Sequence, residues 1–371
     1  NLTPADAMPW TGRFVFDYDC GDFERVLDAG LRQSDAAGFP ARQSEAAKRG
    51  RVRGLGLAMC IETAGGLYAN PGSDFTEIEL HADGSITLAM GTLSTGSGLE
   101  TVMTDLAADQ LGLAPERVRY RQGDTDVLAK GRGMGGSAAM AQGAPALRDG
   151  IVKLIDAAKG VAGDLLETDA ADIEYADGVF RVAGTDRTVV LEKVAETAGE
   201  RNIRLLGEGN FAPASSTFPN GCHVCEVEID PETGKCEIVA YCGIEDIGTV
   251  INPQLAEGQI MGGVVQGLGQ MLCEEIRYSP GEGQLLTGSF MDYAMPRAVD
   301  IPHLSCGFEE VPTQLNPLGA KGVGEAGTVG ALAAGMSAVS DALRTLGVGR
   351  LEVPASPGRI WAAIQASKSP E

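Results

Sequence analysis

A chain of 371 residues with a formal net charge of −22 is a poor partner for nucleic acid or an anionic membrane, because like charges repel. No apolar run is expected to reach the ~18–20 residues of a membrane span, so no membrane insertion is expected. A hydrophobic content of 44% with 22% charged residues is that of a globular protein, long enough for two or three domain-sized cores.

The chain opens on Asn1-Leu2-Thr3 with neither an initiator Met nor a signal peptide, so it is expected to begin inside a longer polypeptide or after processing. Residues 1–50 read as a polar N-terminal extension. One helix is predicted there, from Gly21 to Ala36, where Phe23, Val26, Leu27 and Leu31 recur at helical spacing. Arg42 to Arg53 reads as a charged connector, and Gly54 to Glu62 as a buried strand. A hairpin follows: residues 76–81 alternate polar and apolar, turn at Asp83-Gly84, and return as 85–89. A Gly-rich loop, 91–98, leads into a helix over Leu99 to Leu111.

Gly143 to Leu166 reads as a helix, and residues 173–180 as a small hairpin with Asp177-Gly178 at its turn. Then the earlier pattern returns. Cys225 to Ile229 alternates, Pro231 to Gly234 turns, and Cys236 to Tyr241 runs back. A loop through Asp246 and Asn252-Pro253 precedes a Gly-rich helix over Glu257 to Cys273. Residues 329–346 are Ala- and Gly-rich and predict a closely packed helix. The hairpin–loop–helix repeat points to an α+β fold of two related lobes, divided as 1–50, 51–205 and 206–371.

The eight cysteines (20, 60, 222, 225, 236, 242, 273 and 306) are scattered, which fits a reducing compartment better than a disulfide framework. Cys222-His223-Val224-Cys225 invites a metal reading, but no second pair with suitable spacing completes four zinc ligands. No ferredoxin-like spacing occurs, so no iron–sulfur cluster is expected on this chain. Gly54-Leu55-Gly56 lacks the third glycine of a dinucleotide fingerprint, and no phosphate-binding Gly-x4-Gly-Lys-Ser/Thr loop occurs. Of three histidines, His81 and His223 lie in predicted strands and His303 stands apart. With no nucleophile elbow, a hydrolase triad is disfavoured.

The 51 glycines are well above the usual share of roughly 7%, and they gather in loops at strand ends and helix starts. These are 95–98, 133–139, 257–259 and Lys321-Gly-Val-Gly-Glu325-Ala-Gly327. Such loops present backbone N–H groups to a polyanionic or many-acceptor ligand. The last sets one carboxylate among three glycines, poised for proton transfer. By itself it also fits a turn that caps the next helix, with Glu325 favoured by the helix dipole.

In order along the chain, these motifs resemble the large, molybdenum-binding subunit of the molybdenum hydroxylases: xanthine dehydrogenase, aldehyde oxidase and aerobic carbon monoxide dehydrogenase-like enzymes. Lys321 to Thr328 is similar to that family's active-site glutamate motif. Asn220 to Asp230, Asp246 to Pro253 and Glu257 to Gly269 are similar to the strand and helix that precede it, and 122–125, 133–137 and 143–145 to its mid-domain segment. Asn1 to Pro9 resembles a point about halfway along that subunit, so the likeness covers the family's C-terminal half.

The resemblance implies molybdopterin carrying Mo, in bacteria often as the cytosine dinucleotide. It would be contacted by Gly96, Ser97, Gly98, Gly136, Ser137, Ala138, Gln259, Gly322 and Gly324, with no direct metal ligand from a protein side chain. Glu325 would be the general base. The implied reaction hydroxylates an aldehyde or N-heterocycle, with water as oxygen source. Implied partners are the N-terminal molybdopterin half and subunits carrying 2Fe-2S and FAD, and the implied place is the cytoplasm, with the periplasm as the alternative. Two departures stand out: Ser97 replaces the family's usual Gln, and Ala138-Ala139 replaces two residues of a Ser-Arg-Ser or Ser-Val-Ser run. Backbone donors survive both changes, so binding is still expected. The competing readings are a cofactor-binding or assembly module, or split half, without independent activity, and an unrelated carboxylate enzyme such as a lyase pairing Glu325 with Asp246 or Glu257.

Overall fold

A computed structural model describes residues 2–12, 16–66, 71–128, 130–301 and 304–368; Asn1 and His303 lie outside the described residues. The first stretch of chain forms β1 (Trp10–Thr11), β2 (Asp17–Tyr18), α1 (Phe23–Gln33), α2 (Phe39–Lys48) and β3 (Val52–Ile61). The middle forms β4 (Asp74–Leu80), β5 (Ile86–Met90), α3 (Leu99–Leu111), β6 (Val118–Gln122), α4 (Ala144–Leu166), β7 (Ile173–Ala176), β8 (Val179–Val182), β9 (Thr188–Val190), α5 (Leu191–Glu200) and β10 (Leu205–Phe211). The last part forms β11 (Asn220–Ile229), β12 (Cys236–Asp246), α6 (Pro253–Leu272), β13 (Leu304–Phe308), α7 (Ala326–Arg344) and α8 (Pro357–Lys368). The fold is α+β, as expected.

The chain divides into two compact units, and it interleaves them. The first unit holds residues 1–62, 218–312 and 323–371; the second holds 63–217 and 313–322. The expected division at 50 and 205 follows the chain in order, whereas strand pairing does not. β3 pairs with β11, more than 150 residues later, and so carries the N-terminal segment into the first unit.

In the second unit the sheet order is β10-β4-β5-β6. β4 and β5 form the predicted hairpin, with Leu80 opposite Ile86. After α3 the chain returns as β6 parallel to β5, and β10 closes the edge antiparallel to β4. Ile78, Leu88, Met90, Met103, Leu147 and Ile151 are buried between this sheet and its helices. β7, β8 and β9 form a small separate sheet turned at Asp177-Gly178.

The first unit repeats this order as β13-β12-β11-β3. β11 and β12 are the hairpin, β13 returns parallel to β12, and β3 closes the edge antiparallel to β11. Its edge strand thus comes first in the chain, while β10 comes last in its unit. Both edge strands carry Gly-x-Gly, and for one reason. A methyl on Gly54 or Gly56 would sit 2.1 or 2.0 Å from the carbonyl oxygen of Ala338 or Ala334 on α7. A methyl on Gly207 or Gly209 would sit 2.0 or 1.9 Å from that of Gly150 or Ala146 on α4. Real Cβ atoms do not come so close, so glycine is what lets each helix backbone lie on its sheet.

Three local expectations change. The connector at 42–53 is largely helical, because α2 runs to Lys48 before β3 begins at Val52. The alternation in 225–229 does not expose one face: Glu226 is 2% exposed and lies under Arg42 and Arg53, with Nε–Oε distances of 3.1 and 2.9 Å. Arg42 of α2 and Arg53 of β3 cover that carboxylate, so charge pairing replaces solvent. Finally, α7 is long and apolar enough to cross a membrane by length and composition, at 19 residues and mean hydropathy 1.2. Its apolarity comes from alanine together with Val329, Leu332, Met336, Val339 and Leu343, and it packs against β3, β11 and α6 within the first unit.

Candidate functional site

Each helix that follows the hairpin, and each helix that lies on the edge strand, is entered through a loop. α3 is entered through 91–98 and α4 through 123–143; α6 is entered through 247–252 and α7 through 309–325. The residues expected to bind a ligand fall at these four topologically matching places. Gly96, Ser97 and Gly98 precede α3, and Gly136, Ser137 and Ala138 precede α4. Gln259 lies in the second turn of α6, and Gly322, Gly324 and Glu325 lead into α7.

In the second unit, two of these loops are bound into one framework. Thr92 bridges Gly133, and the Leu93 N–H donates to the Gly133 carbonyl at 3.2 Å. Asp74, 1% exposed, accepts from the Thr92 hydroxyl and from the Arg132 N–H at 3.4 Å. Burial holds its carboxyl above the usual range, against those hydrogen bonds. Gln142, fully buried in a π-helical turn ahead of α4, donates to the carbonyls of Gly65 at 2.8 Å and Pro71 at 3.1 Å, and accepts from Arg132 at 2.9 Å. The Gly65 N–H donates to the Gly136 carbonyl at 2.8 Å. Asp74 and Gln142 were not singled out in the sequence, where a carboxylate opening a strand and an amide before Gly-Ala-Pro carry no pattern.

Gly322 joins the same framework. A methyl there would sit 2.4 Å from the Ser137 carbonyl oxygen and 2.6 Å from Ala64 Cβ. Ser137 has φ = 50°, a left-handed conformation that costs a non-glycine residue of order 1–3 kcal/mol and that gathers at ligand-binding sites. Gly96, Ser97 and Gly98 stand clear at the start of α3, with Gly98 itself the cap. Among the described residues, Ser97 Oγ is buried without a hydrogen-bond partner, as are the hydroxyls of Ser215, Ser216 and Thr217. Thr217 pairs with Ala64 through the backbone, and a methyl on Gly65 would lie 3.7 Å from Ser216 Cα. These hydroxyls therefore border the segment that carries Gly136 and Gly322. Interiors rarely leave three successive hydroxyls, 215–217, unsatisfied; a ligand rich in polar atoms would satisfy them.

In the first unit, α6 and α7 cross closely. A methyl on Gly327 would sit 2.1 Å from the Ile260 carbonyl oxygen, and the Thr328 hydroxyl donates to the Gly263 carbonyl at 2.9 Å. Gln259 and Glu325 each lie within two residues of that crossing. Glu325 is the residue that caps α7: its backbone carbonyl accepts from the N–H groups of Thr328 and Val329, and its side chain is exposed while Ala326 and Gly327 are buried. The metal reading of 222–225 is undone by the pleat. Cys222 packs with Val26 and Ala29 on one face of the sheet, and Cys225 with Ile260 and Val264 on the other.

The chain matches the model of a molybdopterin cofactor-binding domain over residues 29–302. It is 31% identical to the gamma subunit of the 6-hydroxypseudooxynicotine dehydrogenase complex of Paenarthrobacter nicotinovorans, over 100% of this chain and 48% of that one. It is 30% identical to the carbon monoxide dehydrogenase large chain of Hydrogenophaga pseudoflava, over 98% and 47%. Among solved structures, quinoline 2-oxidoreductase from Pseudomonas putida 86 superposes with a TM-score of 0.88 at 31% identity, covering 97% of this chain and 48% of its own. The chain thus spans about half the length of these relatives.

Proposed function

This chain belongs to the molybdopterin cofactor-binding domain family, in the molybdenum-binding part of molybdenum hydroxylase large subunits, and from that premise we propose that it holds the cofactor and supplies the general base of an oxidoreductase. The framework of the second unit fits such a group: it offers backbone N–H groups at 96–98 and 136–138, a close approach of Gly322 to the Ser137 backbone that only glycine permits, and buried hydroxyls without partners among the described residues. On the first unit, Gln259 would offer the cofactor a side-chain amide, and Gly324 would leave room beside Glu325. We take the pterin to be the cytosine dinucleotide, whose extra acceptors would use the hydroxyls of 215–217. When bound, the cofactor supplies the two-electron acceptor for oxidation at a substrate carbon.

The observation that carries the catalytic reading is the placing of Glu325, an exposed carboxylate capping α7 among glycines. Its carboxylate accepts a proton as an oxygen from water passes to the substrate carbon, and the net change releases two electrons and two protons. The substrate class is an aldehyde or an N-heterocycle, and the relative named for quinoline supports the heterocycle. The electrons leave through 2Fe-2S and FAD centres on partner chains. General-base help of this kind is worth ~10²–10⁴-fold. Glu325→Gln in the assembled enzyme is expected to lower kcat by that factor with molybdenum and pterin content unchanged; turnover within about threefold of the parent removes Glu325 from the role.

The first unit exposes an apolar band that a lone globular chain would cover. Phe290, Met291 and Val299 are 85%, 92% and 87% exposed, and Ile276, Tyr278 and Met295 lie in the same segment. The relatives are about twice as long, and we assign this band to contact with the other half of a full-length large subunit. Phe290→Asp is expected to leave the fold of this chain intact and to abolish its co-purification with that half; undiminished co-purification refutes the assignment. The eight free thiols lead us to propose the cytoplasm as the location.

A further inference from the structure

The sheet of the first unit carries a cluster that the proposed reaction does not use. Cys60 on β3, His223 on β11 and Glu245 on β12 come from adjacent strands, and their ligand atoms all lie within 4.8 Å of one another. Strand register brings them together: Gly221 pairs with Cys60 on one side and with Glu245 on the other. Because Gly221 has no side chain, the carboxylate lies across it; a methyl there would sit 2.3 Å from Glu245 Oε2. Gly330 of α7 lies over the imidazole, where a methyl would be 2.2 Å from Cδ2.

His223 is held at both nitrogens, with Nδ1 2.6 Å from the Tyr241 hydroxyl and Nε2 2.6 Å from Glu245 Oε1. One atom is left over. Glu245 is 1% exposed, and its Oε2 has no hydrogen-bond partner among the described residues. Burial holds this carboxyl above its usual range, with the His223 hydrogen bond opposing. A plain hydrogen-bonded core pair explains Oε1 but leaves Oε2 desolvated and unpaired, which is unfavourable for a buried carboxylate oxygen.

We propose that Cys60, His223 and Glu245 bind a divalent ion of the zinc or cobalt(II) class, distinct from the molybdenum cofactor. Thiolate, imidazole and carboxylate are the donors such borderline ions take. A thiolate and a carboxylate together carry two negative charges, so a divalent ion leaves the buried cluster neutral and gives Oε2 a partner. Tetrahedral coordination sets ligand atoms about 3.3–3.5 Å apart. The widest separation here closes by about 1.3 Å at most, and the His–Glu contact opens by about 0.7 Å. Tyr241 fixes the ring from its far nitrogen, as outer-sphere partners of ligating histidines do. Cys60 is half-buried while His223 and Glu245 are closed, so the ion enters, and its fourth position opens, on the Cys60 side.

The test is titration of the metal-free 371-residue chain with Co(II), a readout independent of molybdenum loading. One ion per chain is expected, with a near-ultraviolet thiolate-to-cobalt band and the strong visible bands of four-coordinate cobalt, all displaced by Zn(II). Cys60→Ala, checked for fold by circular dichroism, is expected to remove the band and weaken zinc binding beyond the ~100-fold upper end of outer-sphere changes; Tyr241→Phe is expected to weaken it ~10–100-fold. X-ray absorption of the zinc-loaded parent is expected to show one sulfur scatterer, and it decides the matter should Cys60→Ala fail to fold. No stoichiometric binding, a cobalt spectrum unchanged in Cys60→Ala, or zinc with no sulfur neighbour overturns the site.

Discussion

The two units build the same sheet and put different chemistry on it. In each, a hairpin, a crossover helix and a parallel strand are closed by a Gly-x-Gly edge strand under a small-residue helix. In the second unit the loops at the helix starts carry glycines, and the loops into α3 and α4 are tied together by Asp74 and Gln142; Ser97 and the 215–217 segment add hydroxyls without partners among the described residues. In the first, the matching loop into α7 carries Glu325, and the sheet beneath carries His223 and Glu245. One topology offers two equivalent sets of loops, and the function proposed above gives one of them the cradling of a ligand and the other the movement of a proton. Topology decides where a site can form, and the residues at the helix starts decide what it does.

The shared part of this comparison breaks most readily at the edge strands. Gly56→Val and Gly209→Val each force a side chain into a helix carbonyl about 2 Å away, and overpacking against backbone is expected to cost about 3 kcal/mol or more. Chemical denaturation should find both strongly destabilised. If either tolerates valine, the two edge strands are not equivalent. A smaller effect sharpens the difference between the units. Gly322→Val, against the Ser137 carbonyl, is expected to lower bound pterin and molybdenum severalfold, while kcat per molybdenum stays within about twofold. A fall in kcat per molybdenum at full cofactor content would place Gly322 on the catalytic side instead.

Much of this fold is legible in local pattern. The helix at 99–111, the hairpins at 76–89 and 173–180, and the repeat of hairpin, loop and helix all follow from periodicity and turn residues. What escapes is non-local. β3 joins a sheet whose other strands begin at residue 220, and residues 313–322 return to the second unit, because edge pairing and Gly-x-Gly packing depend on partners far along the chain. α2 hides in a charged stretch because Arg42, and Arg49 just beyond its end, face carboxylates on β11 rather than water.

Site residues divide the same way. The Gly-rich loops and Glu325 stand out in the sequence because glycine spacing is local, whereas Asp74, Gln142 and the 215–217 hydroxyls acquire meaning only once the loops are folded against them. His223 was visible, but with the wrong companions. The pleat sends Cys222 to the opposite face, and the real neighbours arrive from β3 and β12.

The division between cradle and base is tested most directly by assaying Glu325→Gln in the assembled enzyme, with molybdenum, pterin and turnover measured on the same preparation. Full cofactor content with kcat reduced ~10²–10⁴-fold is the expected result. Near-parental turnover, or loss of cofactor in proportion to the loss of activity, would contradict it.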